Sequence, residues 1–271
     1  MKRLRQIRLV VTAVIVSALA ASVFAQGTQA PSKPFEPQVG QAGKDVVWVP
    51  TPQALVNKML DMAQVMPQDF LIDLGSGDGR TVITAAKRGL RAQGIEYNPD
   101  MVELATRNAA AEGVSARATF AKADLFETDF SKAQVITMFL LPQINMKLRP
   151  TILNMRPGTR IVSNSFTMED WQPDQSETVT DCTSWCTAHL WIVPAKVEGT
   201  WQLPQGALTL TQAFQEVSGT LGSTPLTRGR LRGEEITFTI GNAVYNGRVQ
   251  GNTIRGTVTG GSGGAFTATK R

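Results

Sequence analysis

The chain has 271 residues, 42% of them hydrophobic and 18% charged, which is the composition of an ordinary globular protein with a sizeable core. That length suits one large domain or two small ones. Beyond the N-terminus, charged residues interrupt every apolar stretch, which excludes an internal membrane-spanning segment.

The first 25 residues have the three parts of a secretory signal. Four basic residues lie within the first eight, the apolar run of residues 9–24 follows, and small side chains precede the expected cleavage after Ala25. An uncleaved membrane anchor is the alternative, and it would be the chain's contact with a membrane, although about 16 apolar residues are short for a span. In both cases the rest of the chain is exported, so we expect a periplasmic or secreted protein.

The net charge of +5 comes mostly from this segment. Without its four basic residues, 23 Lys and Arg stand against 22 Asp and Glu, which leaves a net charge of +1. The basicity of the whole chain therefore gives no support to a nucleic-acid partner.

Residues 26–46 are rich in Pro, Gly and Gln and lack apolar periodicity, so we expect a linker there. A helix is predicted from Pro52 to about Met66, where apolar side chains recur at helical spacing. Strands and helices then alternate, with strands expected near 69–74, 92–97, 118–124, 133–140 and 158–166, and helices near 80–88, 99–111 and 143–155. Continuous apolar strands separated by helices predict a parallel sheet covered on both faces. The extended pieces at 176–180 and 189–195 predict a closing hairpin.

Helix signals vanish from about Lys196 to residue 271. Short alternating strands punctuated by Gly and Asn predict an all-β meander there, either a small barrel or a sandwich. This segment contains neither His nor Cys and shows no catalytic constellation. Its arginines lack the accompanying aromatic set that nucleic-acid binding by stacking requires.

The sequence FLIDLGSGDGR, residues 70–80, has glycines at alternate positions behind an apolar run, as in loops that hold a nucleotide-like ligand. A dinucleotide fingerprint needs a third glycine where this chain has Arg80. Asp73 and Asp78 would also repel a pyrophosphate. S-adenosylmethionine (SAM) carries a positive sulfonium and amino group and no phosphate, so acids beside the loop suit it. The residues expected to contact SAM here are Asp73, Gly75, Gly77 and Gly79.

Two further acids follow the next two strands. Glu96 ends the second strand, from which a carboxylate can accept hydrogen bonds from ribose hydroxyls. Asp124 ends the third strand and can accept from the adenine amino group, while Leu125 offers apolar cover. Each acid alone could be a solvated strand end or a helix cap, but three acids at successive strand ends beside a glycine loop favour a SAM site.

These motifs resemble those of the class I, seven-strand SAM-dependent methyltransferases over about residues 47–195. DLGSGDGR matches the family's glycine motif, GIEYNPD its ribose-binding motif and KADLF its adenine-binding motif. The resemblance implies an α/β fold with a doubly wound, mostly parallel Rossmann-like methyltransferase sheet, followed here by the C-terminal all-β meander of residues 196–271. VPTP before the first helix and FLLPQIN after the fourth strand are similar to the branch that contains the ATP synthase c-subunit lysine methyltransferases.

The resemblance implies SAM-dependent N-methylation, with lysine in a protein as the acceptor. It places Thr51 near the methionine end of SAM and Asn145 beside the substrate amine, although the two could also be a helix cap and a surface amide. The chain lacks the N-P-P-Y of amino-methylating DNA enzymes, so we expect no nucleic-acid substrate. It departs from that branch in its export signal and its β-rich tail. An exported, non-enzymatic binding protein that keeps the fold, with the β domain as its binding module, is the alternative.

The stretch DCTSWCTAH holds both cysteines of the chain and its single His. Two cysteines in an exported protein predict a disulfide between Cys182 and Cys186. Together with His189 they would leave a structural zinc site one ligand short, so we expect no metal.

Overall fold

The computed structural model describes residues 35–271, and the predicted signal of residues 1–25 lies outside the described residues. Residues Glu36–Arg271 form one compact unit, which contains both the α/β part and the β-rich part. No helix within residues 35–271 has the length and apolar character needed to cross a membrane.

The α/β part follows the predicted alternation. Its helices are α1 (Gln53–Met62), α2 (Arg80–Lys87), α3 (Pro99–Ala111) and α4 (Pro142–Leu153), and its strands are β1 (Phe70–Leu74), β2 (Arg91–Glu96), β3 (Ala118–Lys122), β4 (Val135–Met138), β5 (Arg160–Asn164), β6 (Gln175–Thr178) and β7 (Thr187–Ile192). The first helix ends at Met62, four residues before its predicted end, because the chain leaves the helix and turns through Gln64, whose φ is +47°.

These seven strands form one sheet in the order β3-β2-β1-β4-β5-β7-β6. The first five strands in this order are parallel to one another, and β7 is antiparallel to both β5 and β6. The strand order reverses beside β1, which pairs with β2 on one side and β4 on the other. A crevice forms at the carboxyl ends of the strands at such a switch point. The doubly wound, mostly parallel sheet and its closing hairpin are thus confirmed.

Apolar clusters cover both faces of this sheet, which is why successive residues of the central strands β1 and β4 are buried. Leu71 belongs to the cluster that includes residues of α1 and α2, and the next residue, Ile72, belongs to the cluster that includes residues of α4. Trp171 and Trp191 are fully buried in the second cluster. The sheet is therefore buried between two apolar layers.

The C-terminal strands close into a barrel. They are β8 (Gly199–Leu203), β9 (Gly206–Ala213), β10 (Glu216–Leu221), β11 (Thr224–Arg232), β12 (Glu235–Ile240), β13 (Ala243–Gln250), β14 (Thr253–Thr259) and β15 (Gly264–Lys270). All neighbours are antiparallel, and β15 pairs with β8 to complete the ring. Of the two predicted architectures, the barrel is the one observed. Trp201, Phe238 and Phe266 fill its interior, so the interior is a packed core.

A buried polar contact fixes the barrel to the sheet. Gln215 lies between β9 and β10; its Oε1 accepts from Trp171 Nε1 at 2.9 Å, and its Nε2 donates to the Gln172 carbonyl at 2.8 Å. Phe214 stacks on Trp171 with ring centroids 5.8 Å apart. Because the side-chain amide is satisfied at both ends and sits beside stacked rings, it holds the barrel in one orientation.

Candidate functional site

A cavity of about 230 Å³ opens at the carboxyl edge of the sheet, beside the switch point. The glycine loop after β1 forms its floor, and the ends of β2, β3, β4 and β5 contribute to its walls. Seven of the eight residues predicted to bind the cofactor line it: Thr51, Asp73, Gly75, Gly77, Glu96, Asp124 and Leu125. The topology therefore brings together residues that are up to 74 positions apart in the sequence.

The glycine loop presents bare backbone to this cavity. Gly75 and Gly77 have φ of +76° and +52°, which a residue with a Cβ rarely adopts. A Cβ at Gly77 would lie 2.6 Å from the indole nitrogen of Trp48, so this glycine also admits a close side-chain neighbour. Gly75 N–H and Ser76 N–H both donate to the Ile95 carbonyl, at 2.9 and 3.1 Å, which ties the loop to β2.

Gly79, the eighth predicted residue, does not line the cavity. Its φ is +84°, and a Cβ there would lie 2.7 Å from Phe120 Cζ and 2.9 Å from Ala105 Cβ. Gly79 therefore lets the start of α2 pack closely against β3 and α3. The structure thus gives Gly79 a packing role, and its predicted contact with the ligand stays a prediction.

Glu96 is anchored by the backbone on both of its carboxylate oxygens. Oε2 accepts from Gly77 N–H at 3.0 Å, and Oε1 accepts from Asn98 N–H at 3.0 Å. A carboxylate offers about four acceptor positions, so about two remain for the two hydroxyls of a ribose. The side chain is thus pre-oriented at the place where ribose recognition was predicted.

Asp73 is buried beneath the loop, and its Oδ1 accepts from the Thr137 hydroxyl at 2.6 Å. Burial, with smaller contributions from the negative charges of Glu96 and Asp78, raises the pKa of Asp73 to about 7, against the effect of the Thr137 hydrogen bond. A ligand with a positive group in this cavity would favour the ionised carboxylate. The Asp73 carboxylate therefore fits the cationic methionine part of SAM.

Asp78, which was expected to repel a pyrophosphate, forms an ion pair with Arg80. Arg80 Nε lies 3.0 Å from Oδ1 of Asp78 and Arg80 Nη2 lies 2.6 Å from Oδ2, while Arg80 Nη1 donates to the Thr51 carbonyl at 3.0 Å. The charge of Asp78 is therefore compensated within the loop. Repulsion of a pyrophosphate at this loop rests on Asp73 and Glu96 and less on Asp78.

Asp124 is held by a segment that was predicted to be a linker. Residues 40–48, which we call the cover hairpin, turn back on themselves through an Ala42–Val47 bridge, and residues 41–48 line the cavity. Within it, Lys44 forms an ion pair with Asp124, and its Nζ lies 4.9 Å from the centre of the Tyr97 ring. The Lys44 hydrogen bond and the Phe126 amide hold the pKa of Asp124 below its usual range. Asp124 is therefore ionised and remains an acceptor.

Thr51 lines the cavity between the cover hairpin and α1, but it does not cap that helix. The residue before α1 is Pro52, and its side chain makes no cap hydrogen bond. Thr51 Oγ1 instead accepts from Asn164 Nδ2 at 3.2 Å, which leaves its hydroxyl proton available to the cavity.

Asn145, the predicted substrate-orienting residue, lies behind the cavity wall. It is fully buried in α4, and its Nδ2 donates to the carbonyl of Thr167 at 3.2 Å and more weakly to that of Phe166 at 3.4 Å. Its neighbour Ile144 lines the cavity. Asn145 is thus placed to position the segment after β5, and the structure gives it no contact with the cavity.

An aromatic part of the cavity wall carries no motif in the sequence. Phe139 follows β4, Phe166 follows β5 and Trp185 precedes β7; we call them the aromatic triad. Their ring centroids lie 5.2–6.0 Å apart. The apolar strand ends were visible in the sequence, but only the sheet order places these three rings together.

The sulfur atoms of Cys182 and Cys186 lie at disulfide-bonding distance, as predicted, and their Cα atoms are 5.7 Å apart. The His189 ring forms a hydrogen bond with the Ser176 hydroxyl at 2.8 Å through Nδ1. Within residues 35–271 no three His, Cys, Asp or Glu side chains converge as metal ligands.

Comparisons with known proteins agree with this geometry. The family model of the ANTKMT methyltransferase domain matches residues 73–175. A protein-lysine N-methyltransferase of Saccharolobus islandicus (strain REY15A) is 40% identical over 151 residues, which cover 55% of this chain and 94% of that protein. The adenine nucleotide translocase lysine N-methyltransferase of Mus musculus is 38% identical over 105 residues; the match spans 38% of this chain and 46% of the mouse protein.

One solved structure matches over the same share of the chain as the Saccharolobus islandicus protein. It is described as an RNA methyltransferase from Salinibacter ruber in complex with S-adenosyl-L-homocysteine, and it is 44% identical with a TM-score of 0.52. The match covers 55% of this chain and 96% of that one, so almost half of this chain lies outside it.

Proposed function

Because this chain belongs to the family of SAM-dependent protein-lysine N-methyltransferases, we infer that its carboxyl-edge cavity binds SAM and that a lysine side chain of a protein is the methyl acceptor. One observation carries the assignment. A single cavity joins the carboxylates of Asp73, Glu96 and Asp124 and a bare glycine loop at one end to an apolar aromatic wall at the other.

The residues of the chain would hold the two reactants in different parts of the cavity. Glu96 and Asp124 offer acceptors to the adenosine part, and Asp73 offers a negative charge to the cationic methionine part. SAM, when bound, supplies a methyl group already activated by its positive sulfur. The main task of the chain is therefore proximity and alignment.

An acceptor amine must also be unprotonated. The ordinary pKa of lysine is about 10.4, and transfer from water to an apolar surrounding lowers it. Leu140, Leu141 and Ile144 lie beside the aromatic triad in the cavity wall, so an amine that enters there is partly desolvated. This environment supports lysine as an acceptor without a dedicated general base.

A protein acceptor is favoured over RNA, even though the Salinibacter ruber structure carries the description of an RNA methyltransferase. The charge of residues 26–271 is +1, whereas binding to an RNA backbone requires an excess of positive charge at the site. The cavity wall also carries carboxylates at one end and apolar rings at the other. Both features suit an apolar stem with an amine better than a phosphate chain.

We also propose that the chain is exported and acts in an oxidising compartment. Its N-terminal segment has the pattern of a secretory signal, and the cysteine pair at bonding distance supports such a compartment. Cell fractionation followed by N-terminal sequencing should give a chain that starts at Gln26 in the exported fraction. A full-length chain in the cytosol with two free thiols would contradict the proposal.

The acceptor can be identified by label transfer. Full-length protein is incubated with methyl-labelled SAM and with total protein or total RNA from the same cells, and each pool is then hydrolysed. We expect the label in Nε-methylated lysine and not in nucleosides, and a Glu96→Ala preparation controls for other enzymes in the extract. Label confined to nucleosides would overturn the lysine assignment.

A further inference from the structure

The sheet order divides the cavity into two ends. Along the carboxyl edge, Asp124 follows β3, Glu96 ends β2, and the glycine loop follows β1; Phe139 then follows β4 and Phe166 follows β5. The three carboxylates thus lie on one side of the cavity and the aromatic triad on the other. An adenosine held by the carboxylates leaves the triad at the opposite, reacting end.

The triad is a shaped surface and not part of a closed core. Phe139 and Phe166 are half-buried, and Trp185 is 43% exposed at the outer rim while still lining the cavity. Phe139 and Phe166 stack with an interplanar angle of 25°, and Trp185 is tilted against both, by 59° and 44°. Three rings in this arrangement offer faces to an aliphatic stem and to a cationic nitrogen, and aromatic faces attract such cations.

Trp185 is held at the rim by its own short loop. It lies between Cys182 and Cys186, at the tip of the hairpin formed by β6 and β7, and its φ is +58°. A left-handed backbone is unfavourable for any residue with a Cβ. A disulfide between the two cysteines limits the conformations open to this loop. The Val179 N–H donates to the Cys186 carbonyl at 3.0 Å, which attaches the loop to the hairpin.

We propose that the aromatic triad is the binding site for the stem and nitrogen of the acceptor lysine, and that the Cys182–Cys186 bridge fixes Trp185 as its outer wall. This inference rests on the proposed function, since it names the part of the cavity that receives the acceptor. The rings also suit the methylated product, because each added methyl makes the cationic nitrogen less hydrated and a better partner for an aromatic face.

Trp185 is tested first by kinetics on a lysine-containing acceptor protein identified by the label transfer. Trp185→Ala should raise KM for that acceptor by about tenfold and change kcat by less, because contacts to the stem exist before and during transfer. Trp185→Phe should restore most of the loss. Thr183→Ala, an exposed change in the same loop, should leave KM within about twofold, and affinity for S-adenosylhomocysteine should not change in any of the three.

The bridge is tested with the Cys182→Ser/Cys186→Ser double variant. We expect KM for the acceptor to rise by about threefold or more, as it does for Trp185→Ala. The melting temperature of the protein should be nearly unchanged, since the loop closed by the disulfide is very short. A double variant with wild-type KM would overturn the role of the bridge.

Direct binding separates this inference from the proposed function. Nα-acetyl-Nε-trimethyl-lysine amide and its neutral counterpart Nα-acetyl-norleucine amide are titrated into the full chain in the presence of S-adenosylhomocysteine. The cation should bind about tenfold more tightly than the neutral probe, and Trp185→Ala should remove that difference. Equal affinity for the two probes, or an unchanged difference in affinity in the Trp185→Ala variant, would overturn the inference even if lysine is methylated. Tight binding of the cationic probe without any methyl transfer would support the inference and contradict only the proposed activity.

Discussion

Asp73 shows how one residue can be unfavourable for the fold and useful for the site. Its pKa of about 7 in the folded chain lies above the ordinary value of 3.8. The unfolded state therefore loses its proton first, and this carboxyl reduces stability progressively as the pH rises from about 4 to about 7. A cationic ligand would offset that cost by pairing with the ionised form.

Asp73→Asn should consequently stabilise the ligand-free protein while weakening SAM binding. The side-chain oxygen of Asn can still accept from Thr137. The substitution also removes the buried charge, which lowers the free energy of unfolding by at most about 4 kcal/mol at pH 8. Scanning calorimetry should show a melting temperature raised by at least about 3 °C at pH 8 and by less at pH 5. A lower melting temperature at both pH values would show that burial of this charge is not the controlling effect.

Glu96→Gln tests the anchored carboxylate. Both oxygens of Glu96 accept backbone hydrogen bonds, so the amide of Gln would place a donor against one of two N–H groups. Charge-assisted hydrogen bonds contribute about 1.5–3 kcal/mol each, so we expect a loss of at least about tenfold in affinity for SAM by titration calorimetry. Glu103→Gln, on the exposed side of α3, is the matched control. Affinity within about twofold of wild type would argue against ribose recognition by Glu96.

At the scale of elements, the start of α2 depends on a glycine that does not line the cavity. Gly79→Ala combines a left-handed backbone, which costs about 1–2 kcal/mol, with overpacking against Phe120 and Ala105, which costs about 1–3 kcal/mol more. Gly113→Ala has only the first cost, because its φ is +68° and a Cβ there meets nothing within 4 Å. Urea unfolding should therefore rank Gly79→Ala as the more damaging change. Equal losses in the two variants would refute close packing as the reason for Gly79.

The strands, the helices and the strand-end acids could be predicted because their signals are local. Asp73, Glu96 and Asp124 each follow an apolar run that ends at one edge of a parallel sheet. The cover hairpin could not be predicted, since most of it belongs to residues 26–46, whose Pro, Gly and Gln composition is that of a linker. Its main side-chain contact joins Lys44 to a residue 80 positions away. The role of Asn145 stays a prediction: its amide nitrogen donates to the segment after β5, and helical spacing does not reveal whether a buried polar residue faces the cavity or the segment behind it.

At the scale of the whole molecule, buried polar contacts attach the barrel to the α/β part. Arg230 pairs with Asp174, whose side chain is only 3% exposed, at 2.8 Å, in addition to the Gln215 contacts. The sequence predicted a separate β-rich segment but gave no signal for this attachment, because neither Gln215 nor Trp171 lies in a motif that marks a contact. We expect the two parts to unfold together.

Gln215→Ala should break that coupling. Without the Gln215 side chain, the buried Trp171 Nε1 loses its acceptor, at a cost of about 1–3 kcal/mol. Calorimetry should show one transition in the wild-type protein and two overlapping transitions in the variant, whereas Gln250→Ala, at an exposed position of β13, should behave as wild type. Two resolved transitions already present in the wild type would contradict the rigid attachment.

The central claim is that one cavity holds SAM by its strand-end carboxylates and directs the methyl group toward the aromatic triad. A crystal structure of the protein with S-adenosylhomocysteine tests this most directly. We predict ribose hydroxyls within about 3.2 Å of Glu96 and the sulfur on the side of Phe139 and Phe166. A ligand bound outside this cavity, or one whose adenine lies against Trp185 with its sulfur beside Asp124, would contradict the claim.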